Sequence, residues 1–306
     1  MKKIYTSVEE MIGHTPMYQF VKLKAKLALQ ADVFGKCEFY NPLFSIKDRA
    51  GLKMIDKALT KNEKNDTVII EASSGNLGIS MAAICAARNV KTMVFMPETT
   101  AKEKVKLVKY FGADAILTPQ EDGMRGAMIK AEMTAQKSSN VIWLKQFENE
   151  ANLEAHLLST SVEIWDDMNG KVDVIVAGVG TGGTISGVAK ALKTSNPDLK
   201  VVAVEPKGSS VLSGGEKGEH RICGIGAGFV PPLYDKKMVD EIIAVEDDDA
   251  WAMAKLVAQT EGLPIGVSAG AAMVAAVSLA SRDEYAGKNI AVILPDAINN
   301  YISELK

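Results

Sequence analysis

Residues 172–205 read VDVIVAGVGTGGTISGVAKALKTSNPDLKVVAVE. A β-branched run over 172–177 reads as a strand, and the glycine-rich turn 178–183 interrupts it. A helical stretch near 184–192 follows, then a second β-branched run over 200–205. The same alternation runs upstream. Strands are expected at 67–71, 92–96, 114–117 and 141–144, with helices at 77–88, 101–111 and 122–136 between them. Downstream it continues with strands at 241–245 and 289–294 and helices at 248–260 and 269–280. Repeated strand–helix–strand units imply parallel sheets covered on both faces by helices. The fold class is therefore α/β. The glycine-rich stretch 207–218 reads as an exposed, mobile loop.

A length of 306 residues suggests two domains. Apolar residues make up 47% and charged residues 24%, the mix of a soluble globular protein. The net charge of −3 excludes a chain-wide basic footprint for nucleic acid. No apolar run has the roughly 18 residues of a membrane span, and the N-terminus lacks the apolar core of a signal peptide. Three scattered cysteines, outside any CxxC, suggest a reducing, cytoplasmic setting without a disulfide framework. His14, His156 and His220 show no metal-ligand spacing, so no metal is expected. The acidic run 246–249 suits the start of a helix, where the dipole favours negative charge.

Three glycine-rich turns carry the chemistry. Gly178 to Gly183 matches G-x-G-x-x-G, follows a strand, opens a helix, and has Glu205 about 20 residues on. A dinucleotide fits that pattern, but so does a single phosphate. Glycines let the backbone approach, helix amides hold an anion, and Thr181 and Thr184 add hydroxyls. Gly266-Val267-Ser268-Ala269-Gly270 matches the G-x-S-x-G nucleophile elbow, whose triad runs Ser, acid, His. All three histidines precede Ser268, so a serine hydrolase is excluded; a buried Ser at a helix N-cap is the plain alternative. The third turn, 71–78, reads Glu-Ala-Ser-Ser-Gly-Asn-Leu-Gly. Ser73, Ser74 and Asn76 gather there at a helix start, suited to a carboxylate or phosphate, or with Asn76 simply capping the helix.

A fourth stretch, 41–49, reads Asn-Pro-Leu-Phe-Ser-Ile-Lys-Asp-Arg. Lys47 stands at the start of a helix after two apolar residues and Ser45. A desolvated lysine can form a Schiff base, although by itself an ion-paired or solvated lysine is the ordinary reading. Taken together, these motifs resemble the cysteine synthase (O-acetylserine sulfhydrylase) and cystathionine β-synthase family of fold type II pyridoxal-phosphate enzymes. The likeness extends from Gly13-His14-Thr15-Pro16 to Pro295-Asp296. It includes Ser-x-Lys-Asp-Arg at 45–49, Ser-Gly-Asn-x-Gly at 74–78, Met96-Pro97-Glu98, Gln146-Phe147, the turn from Gly180 to Thr184, Val204-Glu205-Pro206, Gly224 to Phe229, and Ser268-Ala269-Gly270.

The resemblance implies two three-layer αβα domains like those of the tryptophan synthase β-subunit. A smaller mobile domain over 45–150 would close on a larger one formed by 1–44 and 151–306, over a cleft. It implies that Lys47 carries pyridoxal 5′-phosphate, that Gly180, Thr181, Gly182, Gly183 and Thr184 hold the phosphate, and that Asn76 bonds the ring hydroxyl. Ser268 would bond the pyridine nitrogen. Ser73, Ser74, Asn76 and Gln146, with backbone amides near Leu77, would receive the substrate carboxylate. A homodimer is implied as well. The expected reaction is β-replacement on a small L-amino acid: O-acetylserine plus sulfide giving cysteine plus acetate, or a cysteine- or serine-consuming variant that releases sulfide when cysteine is the donor. A nicotinamide-dependent dehydrogenase and a non-catalytic binding protein are the readings of other classes.

The chain departs from the family pattern at Leu77 and Ser73, where threonine is usual. Leu77 is expected to place an apolar branch near the substrate Cβ. Ser159-Thr160-Ser161 replaces a Thr-Thr-Gly or Thr-Thr-Ala run, and residues 294–301 look closer to cystathionine β-synthase.

Overall fold

The computed structural model describes residues 4–60 and 66–305. Among these, the chain forms strands β1 Met17–Gln19, β2 Asp32–Cys37, β3 Val68–Ala72, β4 Lys91–Pro97, β5 Asp114–Thr118, β6 Val141–Trp143, β7 Val174–Gly178, β8 Lys200–Pro206, β9 Glu241–Val245 and β10 Asn289–Leu294. They divide between two compact units. One comprises the segment ending at Ile12 and Asn41–Asn152; the other comprises Gly13–Tyr40 and the chain from Leu153 onward.

The smaller unit holds a sheet of order β5-β4-β3-β6, parallel throughout. Every residue of β3 is buried, as a parallel strand covered on both faces requires. Ile69 packs with Met54, Ile55, Met81 and Ile84. Val68, Ile70 and Ala72 pack with Phe95, Ala127 and Ala131. The segment ending at Ile12 belongs to this unit, unlike the expected grouping of 1–44 with the larger domain. The physical tie is Arg88, whose guanidinium grips Glu9 at 2.6 and 2.7 Å and Asp56 at 2.6 Å.

The larger unit holds a sheet of order β1-β2-β10-β7-β8-β9, parallel except for the β1–β2 pair. β1 and β2 are absent from the sequence expectation because Gly35 and Lys36 break the apolar run of β2. Gly35 is needed there, since a Cβ would stand 2.5 Å from Leu294 Cδ1. Lys36 is fully buried, yet its ammonium donates to Thr15 O at 2.6 Å and meets Asp167 and Glu163 at 2.9 Å.

The strand orders locate where ligands bind. In the smaller sheet the chain runs β3, β4, β5 in one direction, then returns to the other side of β3 as β6. In the larger sheet it runs β7, β8, β9, then returns to the other side of β7 as β10. Each reversal leaves a crevice beyond the carboxyl ends of two neighbouring strands, the place where open α/β sheets bind their ligands.

The segment 207–218 is exposed over 213–218, as expected, and its first part is tied to Glu205. Buried Glu205 accepts the amides of Leu212 at 2.8 Å and Ser213 at 3.0 Å, and the Ser213 hydroxyl. Backbone passes so close that a Cβ on Gly218 would lie 2.2 Å from Gly208 O. The acidic run does start a helix, Asp247–Glu261.

Candidate active site

In the smaller unit, Lys47 is the first residue of the helix Lys47–Thr60. The turn before it is tight. Phe44 has a φ of 64°, its amide donates to Asn41 O at 2.8 Å, and the Ser45 hydroxyl accepts the Lys47 amide at 3.2 Å. A left-handed backbone costs a non-glycine residue about 1–2 kcal/mol, and such strain clusters at functional sites. Asp48, wholly buried, accepts the Leu43 amide at 2.8 Å and the Ser80 hydroxyl. That bond ties the Lys47 helix to the helix Asn76–Ala87.

The loop after β3 is organised by Ser73. Its hydroxyl accepts the amides of Gly75 and Gly78, both at 3.2 Å. Ser73 therefore caps the helix; Asn76 does not, and is simply its first residue. Ser74 is exposed. Leu77, expected to place an apolar branch near the substrate Cβ, has a side chain 1% exposed that packs with Met54, Ile55 and Met81.

Gln146 follows β6, the neighbour of β3. Its Nε2 donates to Ala72 O at 2.9 Å, and its backbone carbonyl accepts Asn152 Nδ2 at 2.9 Å. Two groups near this loop were missed in the sequence. Lys104 is buried, and a Cβ on Gly75 would stand 3.1 Å from its ammonium. In the sequence it was one lysine among many on an amphipathic helix. Glu71 ends the apolar run of β3, buried, and its carboxylate accepts Ala72 N at 2.8 Å, Trp143 Nε1 at 3.0 Å and Gln146 N at 3.1 Å. Burial pushes its carboxyl up to about 7, against the pull of those donors. The detectable signal was a lone acid at the end of an apolar strand.

In the larger unit, the glycine turn follows β7 and leads into the helix Gly183–Ser195. Gly182 has a φ of 84°, and a Cβ on it would lie 2.6 Å from Tyr234 N; one on Gly180 would lie 2.5 Å from Gly224 O. Only glycine fits either place. Thr181 Oγ1 accepts the Gly183 amide at 3.4 Å. Thr184 Oγ1 lies 3.2 Å from His156 Nε2, whose Nδ1 lies 3.0 Å from Thr160 Oγ1. His156 and Thr160 belong to one π-helical turn, His156–Thr160, a distortion often found at functional sites. His156 thus anchors a hydroxyl of the turn, a role that the i, i+4 pairing with Thr160 could have suggested.

Ser268 is the second residue of the helix Val267–Ala280 and is 2% exposed. It is not the N-cap; Gly266 is, and a Cβ there would strike Asp296 Oδ1 at 2.1 Å. Because the Glu205 carboxylate is committed to Leu212 and Ser213, it does not serve as the ribose-binding acid of a dinucleotide site. Among the described residues no group of three or more His, Cys, Asp or Glu could hold a metal ion, and no helix is long and apolar enough to cross a membrane.

The donor set fits pyridoxal phosphate. In the smaller unit, Lys47 is a primary amine at a helix start, the chemistry that takes an aldehyde. In the larger unit, taken by itself, Ser268 is a buried neutral hydroxyl of the kind that suits a pyridine nitrogen, and the glycine turn opens a helix N-terminus of the kind that suits a phosphate. The comparisons agree. Residues 8–296 match the family model described as pyridoxal-phosphate dependent enzyme. The chain is 43% identical to cysteine synthase B of Campylobacter jejuni, over 98% of both chains. It is 40% identical to O-acetyl serine sulfhydrylase isoform 3 of Entamoeba histolytica, with a TM-score of 0.95, covering 99% of this chain and 91% of that one. A hydrogen sulfide-producing enzyme of Fusobacterium nucleatum is 38% identical with a TM-score of 0.93, covering 98% of this chain and all of that one. By fold, by motif and by these likenesses, the chain belongs to the fold type II pyridoxal-phosphate-dependent enzymes of the cysteine synthase family, which carry out β-replacement on amino acids.

Proposed function

We propose that the protein converts O-acetyl-L-serine and sulfide into L-cysteine and acetate, with pyridoxal 5′-phosphate held covalently on Lys47. The observation that carries this reading is the pairing of β3 with β6 at a strand-order reversal, which sets the Ser73–Leu77 loop beside Gln146. Ser73, Ser74, Asn76, Gln146 and the Leu77 amide hold the substrate carboxylate, with the Lys104 ammonium adding positive charge. Gly180, Thr181, Gly182, Gly183 and Thr184 take the cofactor phosphate, Asn76 the ring hydroxyl, and Ser268 the pyridine nitrogen.

When bound, the cofactor supplies an electron sink that acidifies the substrate Cα–H bond. The Lys47 amine takes that proton as general base. Acetate leaves Cβ with its bonding pair, hydrosulfide brings a pair to the same carbon, and Lys47 returns the proton to Cα. Ser268 would meet the ring nitrogen with a neutral hydroxyl rather than a carboxylate, and so would hold no charge there to keep a proton on it.

The likeness to a hydrogen sulfide-producing enzyme supports a second reading, in which cysteine is the donor and a thiol or water the acceptor. Steady-state turnover of O-acetylserine with sulfide, set against cysteine with a thiol, separates them. Absence of cysteine formation from O-acetylserine overturns the first reading. Lys47→Ala is expected to lower turnover by about 10²–10⁴-fold while retaining the circular dichroism of the fold.

A further inference from the structure

We infer that Glu71 is a positioning residue: its buried carboxylate locks the turn bearing Gln146 to the strand bearing Ser73, and so sets the affinity for the substrate carboxylate. This rests on the proposed role of Gln146. Every partner of the Glu71 carboxylate is an N–H donor, and the donors come from two segments. Ala72 lies on its own strand, whereas Trp143 ends β6 and Gln146 follows it. The Lys145 amide also donates to it. Lys145 has a φ of 55°, a left-handed conformation that turns successive amides toward one anion, as in backbone nests.

The turn is otherwise closed on itself. Glu148 and Asn149 amides both donate to Lys145 O at 2.9 Å, and Asn149 Nδ2 donates to Leu144 O at 2.7 Å. The Glu71 carboxylate is therefore the anion around which the Gln146 backbone is wound. The Gln146 side chain then reaches back to Ala72 O, the residue next to Glu71. One N–H of its amide is used there; the second is left for the substrate.

A carboxylate surrounded only by donors must be ionised to satisfy them. A proton on either oxygen sets O–H against N–H and releases part of the turn. The surroundings make this transition accessible. Opposite Glu71 in β4 is Val94, and the buried cluster beside its strand is Phe95, Ala127 and Ala131. From β6 it faces the Trp143 indole. The charged side chains of the turn, Lys145 and Glu148, pair with each other at 3.8 Å, and the Lys145 ammonium lies 5.1 Å from the Trp143 ring centroid. Burial thus raises the Glu71 carboxyl to about 7. The sign is that of a group kept for position. Its proton contributes stability below the ordinary value of 4.5, and that contribution is lost as the pH rises through about 7. The fold is less stable with the clamp ionised, but the Gln146 turn is held.

The test uses the pyridoxal-phosphate-loaded protein and L-alanine, an amino acid without a β-leaving group, as the binding probe. Calorimetry between pH 6 and 8 should show affinity falling up to about tenfold more on acidification than in Gln146→Ala, from titration of one group near 7. Glu71→Gln should flatten that difference and raise KM for the donor while kcat changes less. The Trp143 indole N–H resonance, identified by its loss in Trp143→Phe, should titrate with a midpoint near 7 whether or not Glu71→Gln folds. An indole resonance that does not move between pH 6 and 8, or a Glu71→Gln protein with unchanged KM and pH profile, overturns the inference. If Gln146→Ala leaves alanine affinity unchanged, the role of Gln146 itself fails, a distinct result from failure at Glu71 alone.

Discussion

Asp48 accepts a hydrogen bond from the hydroxyl of Ser80, joining the residue after Lys47 to the helix that starts at Asn76. The same carboxylate holds the Leu43 amide at 2.8 Å, so one buried acid braces both sides of Lys47. Ser80→Ala is expected to cost about 1.5–3 kcal/mol, the range for a hydrogen bond to a charged group. Asp48→Ala should cost more, because it strands buried donors. Urea unfolding of both single variants and the double should reveal coupling of at least about 0.5 kcal/mol. Additive losses would mean the bond braces nothing.

Leu77 is buried in the core of the smaller unit. Replacing it with threonine, the residue usual in the family, leaves a gap and buries a hydroxyl among Met54, Ile55 and Met81. We expect Leu77→Thr to lower stability by about 1–3 kcal/mol and to leave the ratio of kcat/KM for O-acetylserine and cysteine nearly unchanged. A changed donor preference would return this side chain to the substrate.

Gly182 has a left-handed backbone and no room for a side chain. Gly182→Ala would press a methyl against the Tyr234 backbone, 2.6 Å from its nitrogen. Retention of pyridoxal phosphate during dialysis should fall well below that of the parent protein, with Lys47 intact. His156→Ala should have a milder effect of the same kind, through the loosened Thr184 hydroxyl. Equal retention in all three proteins would mean that this turn does not hold the phosphate.

The Arg88 guanidinium, hydrogen-bonded to Glu9, holds the Glu9 carboxyl below its ordinary value of 4.5. A carboxyl lowered by folding contributes stability above that value, and the contribution is lost as the pH falls through its folded-state value. The pair is largely solvated, so the effect is small, about 0.5–1 kcal/mol at pH 7. Glu9→Gln should show that loss in urea unfolding at pH 7, shrinking as the pH falls below 4.5. A difference that stays constant as the pH falls would point to packing rather than charge.

The α/β class, the two units built on mostly parallel sheets and the glycine-rich turns at strand ends were legible in the sequence, because strand and helix periodicities and glycine spacing are local properties. The roles proposed for Lys47 and Ser268 rest on the family pattern, since neither has a local signature of that chemistry. Other features needed the folded chain. β2 was hidden because Gly35 and Lys36 owe their places to distant partners, Leu294 and the acids Glu163 and Asp167. The place of Glu205 fits a ribose acid, but its hydrogen bonds to Leu212 and Ser213 commit it elsewhere. Leu77 could not be assigned to core or site, because a helix start has both faces.

By itself, then, the sequence determined what each turn could bind. Tertiary structure decided which turns lie at the two strand-order reversals, and which buried acids are already committed to backbone donors. Hydrogen-bond partners far apart in sequence, such as Glu71 and Gln146, are set by sheet order, and no local pattern encodes that order.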